Sequence, residues 1–257
     1  MHSLKGKTAL VTGASKNLGK AIALGFAEAG ADVALTSHSA ADDLEAVAAE
    51  ARSFGVRAVA AIGDVSSPAD VERLVGRFTR EIDPIDILVS NASQRPRTSF
   101  LDISIEEWDS IIRTNLSASF YLTRRVIGGM SERGYGRIIL IGGPDGQRPE
   151  PYKGAAHRVH CNTAKAGLIG MMKGIAVEFG AAGVTSNVVS PGIMDTTRDP
   201  VNYPHWPMSQ EELDRRLSIP RLGKPSEISS ICTYLCSDGA AYLTGQTIHV
   251  SGGYYMP

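Results

Sequence analysis

Apolar positions along this chain follow two alternating rhythms. Short, nearly unbroken apolar runs fall at residues 8–11, 33–36, 57–62, 85–89 and 137–141, and two further strands are read at 185–189 and 247–250. Runs without a polar alternate are those of strands buried on both faces, as in a parallel sheet. Between them the spacing is helical. Leu18, Ile22 and Phe26 stand at i, i+4 and i+8, and a polar-faced helix covers 42–54. Another helix starts after Ser66 or Ser67 with Pro68 near its first position. Helical patterns also cover 104–133, with a break near Thr114 and Asn115, then 162–180 and 225–237. Strands alternating with helices predict an α/β fold: a doubly wound parallel sheet of about seven strands with helices on both faces. Residues 1–257 hold no repeat or low-complexity linker, so a single domain is expected.

The first crossover organises the rest. The strand at 8–11 runs into Thr12-Gly13-Ala14-Ser15-Lys16-Asn17-Leu18-Gly19, and a helix follows at once. Such a turn points backbone N–H groups and the positive end of a helix at a phosphate. Gly13 permits the tight turn, and Gly19 lets helix and strand pack closely. At the end of the second strand an acidic residue would grip the ribose 2′-hydroxyl of NAD. The chain has Ser37, His38 and Ser39 there, with Lys16 in the opposing turn. Hydroxyls plus a cation suit the extra phosphate of NADP(H), which is favoured over NAD(H).

Composition narrows the partners. A net charge of -1 gives no electrostatic reason to expect nucleic acid or an acidic membrane. At 43% apolar residues, no stretch approaches a membrane span, and the first residues lack an apolar signal region, so a cytoplasmic protein is expected. Three cysteines, Cys161, Cys232 and Cys236, form no disulfide pattern. Cys232 and Cys236 sit at i, i+4 on an apolar helix without nearby metal-ligand partners, and read as core rather than zinc ligands. No metal site is expected.

From Lys7 to Gly253 the chain resembles the short-chain dehydrogenases/reductases. The resemblance rests on Thr12-Gly13-Ala14-Ser15 with Leu18-Gly19, Asp64-Val65, Asn91-Ala92, Asn115, Lys165, Pro191-Gly192 with Thr196, and the ending Leu243-Thr244-Gly245-Gln246 with Ser251-Gly252-Gly253. It implies a Rossmann-like domain with the dinucleotide across the carboxyl ends of the strands. It also implies that Asp64 and Val65 touch the adenine, that Asn91 lies beside the cofactor, and that Ile193 and Thr196 meet the nicotinamide amide. Lys165 would hold the ribose hydroxyls. Residues 195–220 would form a lid over a small-molecule substrate, and the helices near 115–130 and 162–180 resemble the faces on which the family builds homodimers or homotetramers.

The chain departs from the family pattern at three places. Asn17 replaces the usual middle glycine; Asn tolerates left-handed backbone, and its amide is placed to donate to a phosphate. Ser93 replaces a glycine after Asn91-Ala92, a mild change. The third departure falls on the reacting centre. Reductases of the family use Ser, Tyr and Lys with a supporting Asn, yet here Cys161 stands four residues before Lys165 and Gly143 stands at the serine position. Asn115 and Lys165 remain as catalytic candidates, joined by two replacement proton donors. Cys161 has a thiol whose acidity Lys165 would raise, but on a much shorter side chain than tyrosine's. His160 is its neighbour. The 18 positions from Gly143 to Cys161 also carry Tyr152 and His157. In the lid, Tyr203, His205 and Trp206 would suit an apolar or aromatic substrate. The reading is an NAD(P)(H)-dependent oxidoreductase acting on a carbonyl/alcohol pair with a non-standard proton donor. The alternative is a redox-inactive nucleotide-sensing protein, or a lyase or isomerase, on the same scaffold.

Overall fold

The computed structural model describes residues 2–144, 158–198, 200 and 206–257. Seven strands form one sheet: β1 (Thr8–Thr12), β2 (Asp32–Ser37), β3 (Ala58–Ile62), β4 (Ile87–Ser90), β5 (Gly136–Ile141), β6 (Val184–Pro191) and β7 (Thr247–Val250). All pairings are parallel, in the order β3-β2-β1-β4-β5-β6-β7. Between them run α1 (Asn17–Glu28), α2 (Ala41–Arg52), α3 (Pro68–Glu81), α4 (Ile105–Ile112), α5 (Ala118–Glu132), α6 (Val159–Phe179), α7 (Gln210–Arg216) and α8 (Pro225–Cys236).

Strand parity divides the core. Ala9, Val11, Val33, Leu35, Ile87, Val89, Ile139 and Ile141 face α1, α2 and α8. Their neighbours Leu10, Ala34, Leu88, Ile138 and Leu140 face α3, α5 and α6. Because successive side chains of a strand point to opposite faces, a sheet covered on both sides needs apolar residues at every position. That is why the runs show no alternation. Phe26 on α1 and Phe78 on α3 are fully buried, and each contributes roughly 1.5–3 kcal/mol relative to exposure. Cys232 and Cys236 lie in the first of these layers, and burial pushes both thiols up out of the reactive range.

The break expected near Thr114 and Asn115 is a π-helical segment, Arg113–Ser117, joining α4 to α5. It carries the buried Asn115. Such wide turns force a residue inward that a regular helix would place elsewhere. The short helix α7 has no counterpart in the expected elements, since seven residues leave too little periodicity to read. It belongs to the segment that departs after β6 and returns beside its own origin, where Met194 bridges Gly223.

Helix α8 begins with Pro225 and a capping arrangement in which Glu227 accepts from the Lys224 N–H at 2.7 Å and from both Arg221 Nη atoms at 3.0 and 2.6 Å. The Arg221 guanidinium, then the Lys224 N–H, pull the Glu227 carboxyl down to about 2. A depressed carboxylate stabilises the fold above the ordinary carboxylate range and loses that contribution as pH falls toward the folded value. Glu227→Gln therefore lowers stability by about 0.5–1 kcal/mol at pH near 7, a modest amount because the pair is exposed. In urea titrations at decreasing pH the difference between the two proteins closes from about pH 4.5 downward. A gap that stays constant to the acid limit would contradict the pairing.

Candidate active site

Strand order reverses between β1 and β4, the two strands on which the halves of the sheet grow apart. Open α/β sheets place ligands in the crevice beyond the carboxyl ends of such strands. A cavity of about 500 Å³ opens there. Thr12 and Asn91 fasten its floor. The Thr12 hydroxyl accepts the N–H groups of Asn91 and Ala92, both at 3.0 Å, and Asn91 Nδ2 donates to the carbonyls of Thr12 at 2.9 Å and Gly13 at 3.2 Å.

The glycine turn forms as expected. Gly13 has φ +62, and a Cβ on Gly19 would stand 2.1 Å from the Gly13 carbonyl oxygen, so only hydrogen fits. Helix α1 begins after Lys16 with no side-chain cap, leaving first-turn N–H groups to whatever lies in the cavity. Asn17 takes the left-handed backbone, φ 52. Its side chain does something else than expected. The amide donates to the Thr197 carbonyl at 3.1 Å and accepts the Thr197 N–H at 3.0 Å. Asn17 is thus a clasp on the lid segment, and its amide is not directed at a phosphate.

At the β2 and β3 end, Ser37, His38, Asp64 and Val65 line the cavity with Lys16 and Ser15. The Ser37 hydroxyl donates to the Ser39 carbonyl, which spends its proton. Lys16 and His38 remain as the groups able to donate to a ribose phosphate. Asp64 Oδ1 accepts the Ser66 N–H at 2.8 Å, which orients the carboxylate at the strand end.

At the β5 and β6 end the cavity is lined by Gly142, Gly143, Cys161, Lys165, Pro191, Gly192, Ile193 and Thr196. Helix α6 brings Cys161 and Lys165 to one face, one turn apart. Lys165 Nζ donates to the Ile141 carbonyl at 2.6 Å. Among the described residues a side chain on Gly143 would meet nothing within 4 Å, whereas one on Gly192 would stand 2.6 Å from Ser251 Cα. Asn115 is committed to the turn after β4: Nδ2 donates to the Gln94 carbonyl at 2.7 Å and Oδ1 accepts the Gln94 N–H at 2.8 Å. Cys161 Sγ lies 3.6 Å from the Gln94 carbonyl oxygen and 3.9 Å from Asn115 Nδ2.

His160 is not on the cavity wall. It is fully buried behind it. Its Nδ1 accepts the Cys161 N–H at 2.9 Å, which places the ring proton on Nε2, 3.1 Å from Glu107 Oε1. The Thr98 hydroxyl, then the His160 ring, hold the Glu107 carboxyl below its usual range. Both ring nitrogens are therefore spent in fixing the start of α6, and His160 reaches neither the cavity nor the Cys161 thiol. Tyr152, His157, Tyr203 and His205 lie outside the described residues. Trp206 lies on the cavity wall and packs with Met208 and Tyr254 on the small cluster of Ile193, Leu213 and Leu217. Arg158 and Arg198, which also face the cavity, were not singled out from the sequence; an isolated arginine in a loop carries no periodic signal. Among the described residues no group of His, Cys, Asp and Glu is placed to hold a metal ion, and no helix is long and apolar enough to cross a membrane.

A doubly wound sheet with a glycine turn and an open helix N-terminus at its switch point defines a dinucleotide-binding α/β protein. A family model described as Enoyl-(Acyl carrier protein) reductase matches residues 13–255. The chain is 38% identical over 259 residues to a 3-oxoacyl-(acyl-carrier-protein) reductase, FabG, of Vibrio cholerae, covering 99% of each. Among solved structures it is similar to a short-chain type dehydrogenase/reductase from Mycobacterium marinum, with TM-score 0.89, 33% identity and coverage of 99% and 98%. It is also similar to a blue fluorescent protein from a metagenomic library in complex with NADPH, with TM-score 0.90, 32% identity and coverage of 99% and 100%. The chain belongs to the short-chain dehydrogenase/reductase family, oxidoreductases that exchange a hydride between a nicotinamide nucleotide and a carbonyl/alcohol pair.

The residues present fit that nucleotide. The hydrogen-only contact at Gly19 leaves the backbone of the first turn bare, and the uncapped start of α1 faces the cavity. Either feature would be filled in an ordinary strand-to-helix connection.

Proposed function

We propose that this protein interconverts a small carbonyl compound and its alcohol, with NADP(H) preferred to NAD(H), and that the proton moves through water ordered at Lys165 instead of through a tyrosine. The observation that carries this reading is the lysine itself. It is nine-tenths buried on the cavity wall, beside the two positions where hydroxyls are missing. Its ammonium donates to the Ile141 carbonyl at 2.6 Å, and the family resemblance assigns it the ribose hydroxyls.

Bound in this groove, the nicotinamide supplies the hydride in reduction and takes it in oxidation. The chain's own work is to hold, orient and manage the proton. Gly13, Ser15, Leu18, Gly19 and the α1 N-terminus cradle the pyrophosphate. Lys16 and His38 meet the 2′-phosphate, while Asp64, Val65, Asn91 and Ala92 border the adenosine half. Pro191, Gly192, Ile193 and Thr196 border the nicotinamide. Asn115 acts as a positioning residue that fixes the Gln94 turn against α6. Cys161 forms the wall where a tyrosine ring would stand, and the room beside it and Gly143 admits water. In reduction the substrate oxygen would take its proton from that water, Lys165 would return a proton to the hydroxide left behind, and the lysine would regain its own from solvent. Trp206, Met208 and Tyr254 give the substrate end an apolar side, consistent with an apolar or aromatic substrate.

The exposed Phe120 on α5 and Val177 on α6 support assembly into a homodimer or homotetramer through those helices. Three free cysteines suit a reducing cytoplasm.

Titration of the purified protein with NADPH and NADH, followed by nucleotide fluorescence, tests the cofactor half. NADPH binds about tenfold more tightly, the equivalent of about 1.4 kcal/mol from the phosphate contacts. Indifference to both nucleotides at millimolar concentration would overturn the assignment.

A further inference from the structure

We propose that Asn17 is a positioning residue for the nicotinamide: it ties the turn that receives the pyrophosphate to the backbone that carries Thr196. This rests on the reading above, which gives the β6 end of the cavity to the nicotinamide, and it brings to that end a residue from the first crossover. After β6 the chain is first held by backbone pairing. The Gly223 N–H donates to the Ile193 carbonyl at 2.9 Å, and the Asp195 N–H donates to the Gly223 carbonyl at 2.7 Å. That pairing ends at Asp195. Thr196, on the cavity wall, and Thr197 lie beyond it.

Side chains take over there. The Thr197 N–H donates to Asn17 Oδ1 at 3.0 Å, and Asn17 Nδ2 donates to the Thr197 carbonyl at 3.1 Å. The Thr196 carbonyl belongs to the same peptide unit as the Thr197 N–H and accepts Trp206 Nε1 at 3.1 Å. One peptide is thus bonded on both sides, its N–H by Asn17 and its C=O by Trp206. A planar unit held at two points fixes the direction in which the Thr196 side chain leaves it. Asn suits the task on two counts. Its amide carries a donor and an acceptor, so it matches the N–H and C=O of one residue as a neighbouring strand would. A carboxylate would offer acceptors only and would face the Thr197 carbonyl. Asn also tolerates the left-handed backbone, φ 52, at the start of α1. A glycine would satisfy the backbone and supply no amide. With its amide engaged by Thr197, Asn17 acts on the nucleotide through that segment or through the turn's own backbone, and the two routes reach different ends of the ligand.

Asn17→Gly separates them. Glycine adopts this φ freely, so the variant keeps the turn and removes only the amide. Native protein and variant are titrated by calorimetry with NADPH and with 2′-phospho-ADP-ribose, which retains the adenosine, the pyrophosphate and the second ribose but has no nicotinamide. The NADPH Kd is expected to rise about tenfold, and the fragment's Kd to stay within about twofold. Equal weakening of both ligands would mean that Asn17 serves the turn alone. An unchanged NADPH Kd would mean that the Thr197 contact is idle. Either result overturns the proposal. Hydrogen exchange in the nucleotide-free protein gives a second readout. The peptide spanning 194–198 is expected to exchange at least about threefold faster in the variant, with β6 unaffected. Unaltered exchange in that peptide would also overturn the proposal. Native protein that binds neither ligand would refute the nucleotide reading as a whole. Native protein that binds both, with a variant that fails to separate them, refutes the role of Asn17 alone.

Discussion

Lys165→Met lowers kcat/KM for carbonyl reduction by about 10³, with an unchanged circular dichroism spectrum. Methionine keeps the unbranched stem that packs along α6 and removes only the ammonium. In the native protein that ammonium donates to the Ile141 carbonyl and sits at 8% exposure on the cavity wall. General acid–base assistance contributes about 10²–10⁴ in rate, and a preorganised charge at the developing alkoxide about 10²–10³. With tyrosine and serine absent, both contributions converge on one group. The substitution should also weaken nucleotide binding, since the ribose loses its cationic partner. NADPH consumption and nucleotide titration on the same sample separate the two effects. A variant that retains more than about a tenth of native activity would show that the proton travels by another route.

The second large effect runs in the other direction. Gly143→Ser combined with Cys161→Tyr raises kcat for carbonyl reduction by about 10–100-fold. Among the described residues nothing lies within 4 Å of a side chain built on Gly143, so a serine there meets no strand of the sheet. Cys161 borders the cavity, with Sγ 3.6 Å from the Gln94 carbonyl oxygen. A tyrosine from the same backbone position extends beyond that contact into the cavity, toward the side on which Lys165 lies one turn away. The hydroxyl then donates directly where water must otherwise be recruited. The pH profile of kcat distinguishes a new donor from a repacked wall. The double variant gains an ionisation from the tyrosine, lowered by the neighbouring ammonium, that the native protein lacks. A double variant slower than native protein at every pH would mean that the native donor occupies that space and is irreplaceable.

Much of this molecule is legible in its sequence. Apolar runs located the first five strands, because a strand buried on both faces is mostly apolar whatever its neighbours are; β6 is buried yet carries Thr185, Ser186 and Asn187. The turn from Gly13 to Gly19 announced its backbone geometry, down to the left-handed Asn17, since φ preference belongs to the residue itself. The interruption around Asn115 was visible as a lapse in helical spacing. The resemblance puts Gly143 and Cys161 where the family pattern expects serine and tyrosine, because each motif is counted over a few residues.

Other features became definite only in three dimensions. Asn17 points at Thr197, 180 residues away, and no local pattern encodes where that segment returns. His160 looked like a proton donor beside Cys161, yet one residue on a helix is a rotation of about 100°, which carries it from the cavity wall into the interior against Glu107. The Ser37 hydroxyl is consumed by a carbonyl two residues on, a matter of local backbone path. Residue types and their spacing determined most of the strands and the glycine turn, since those depend on the chain's own covalent geometry. The clasp on the lid and the direction of each polar side chain were decided by tertiary structure, because each depends on which distant pieces of chain packing brings together.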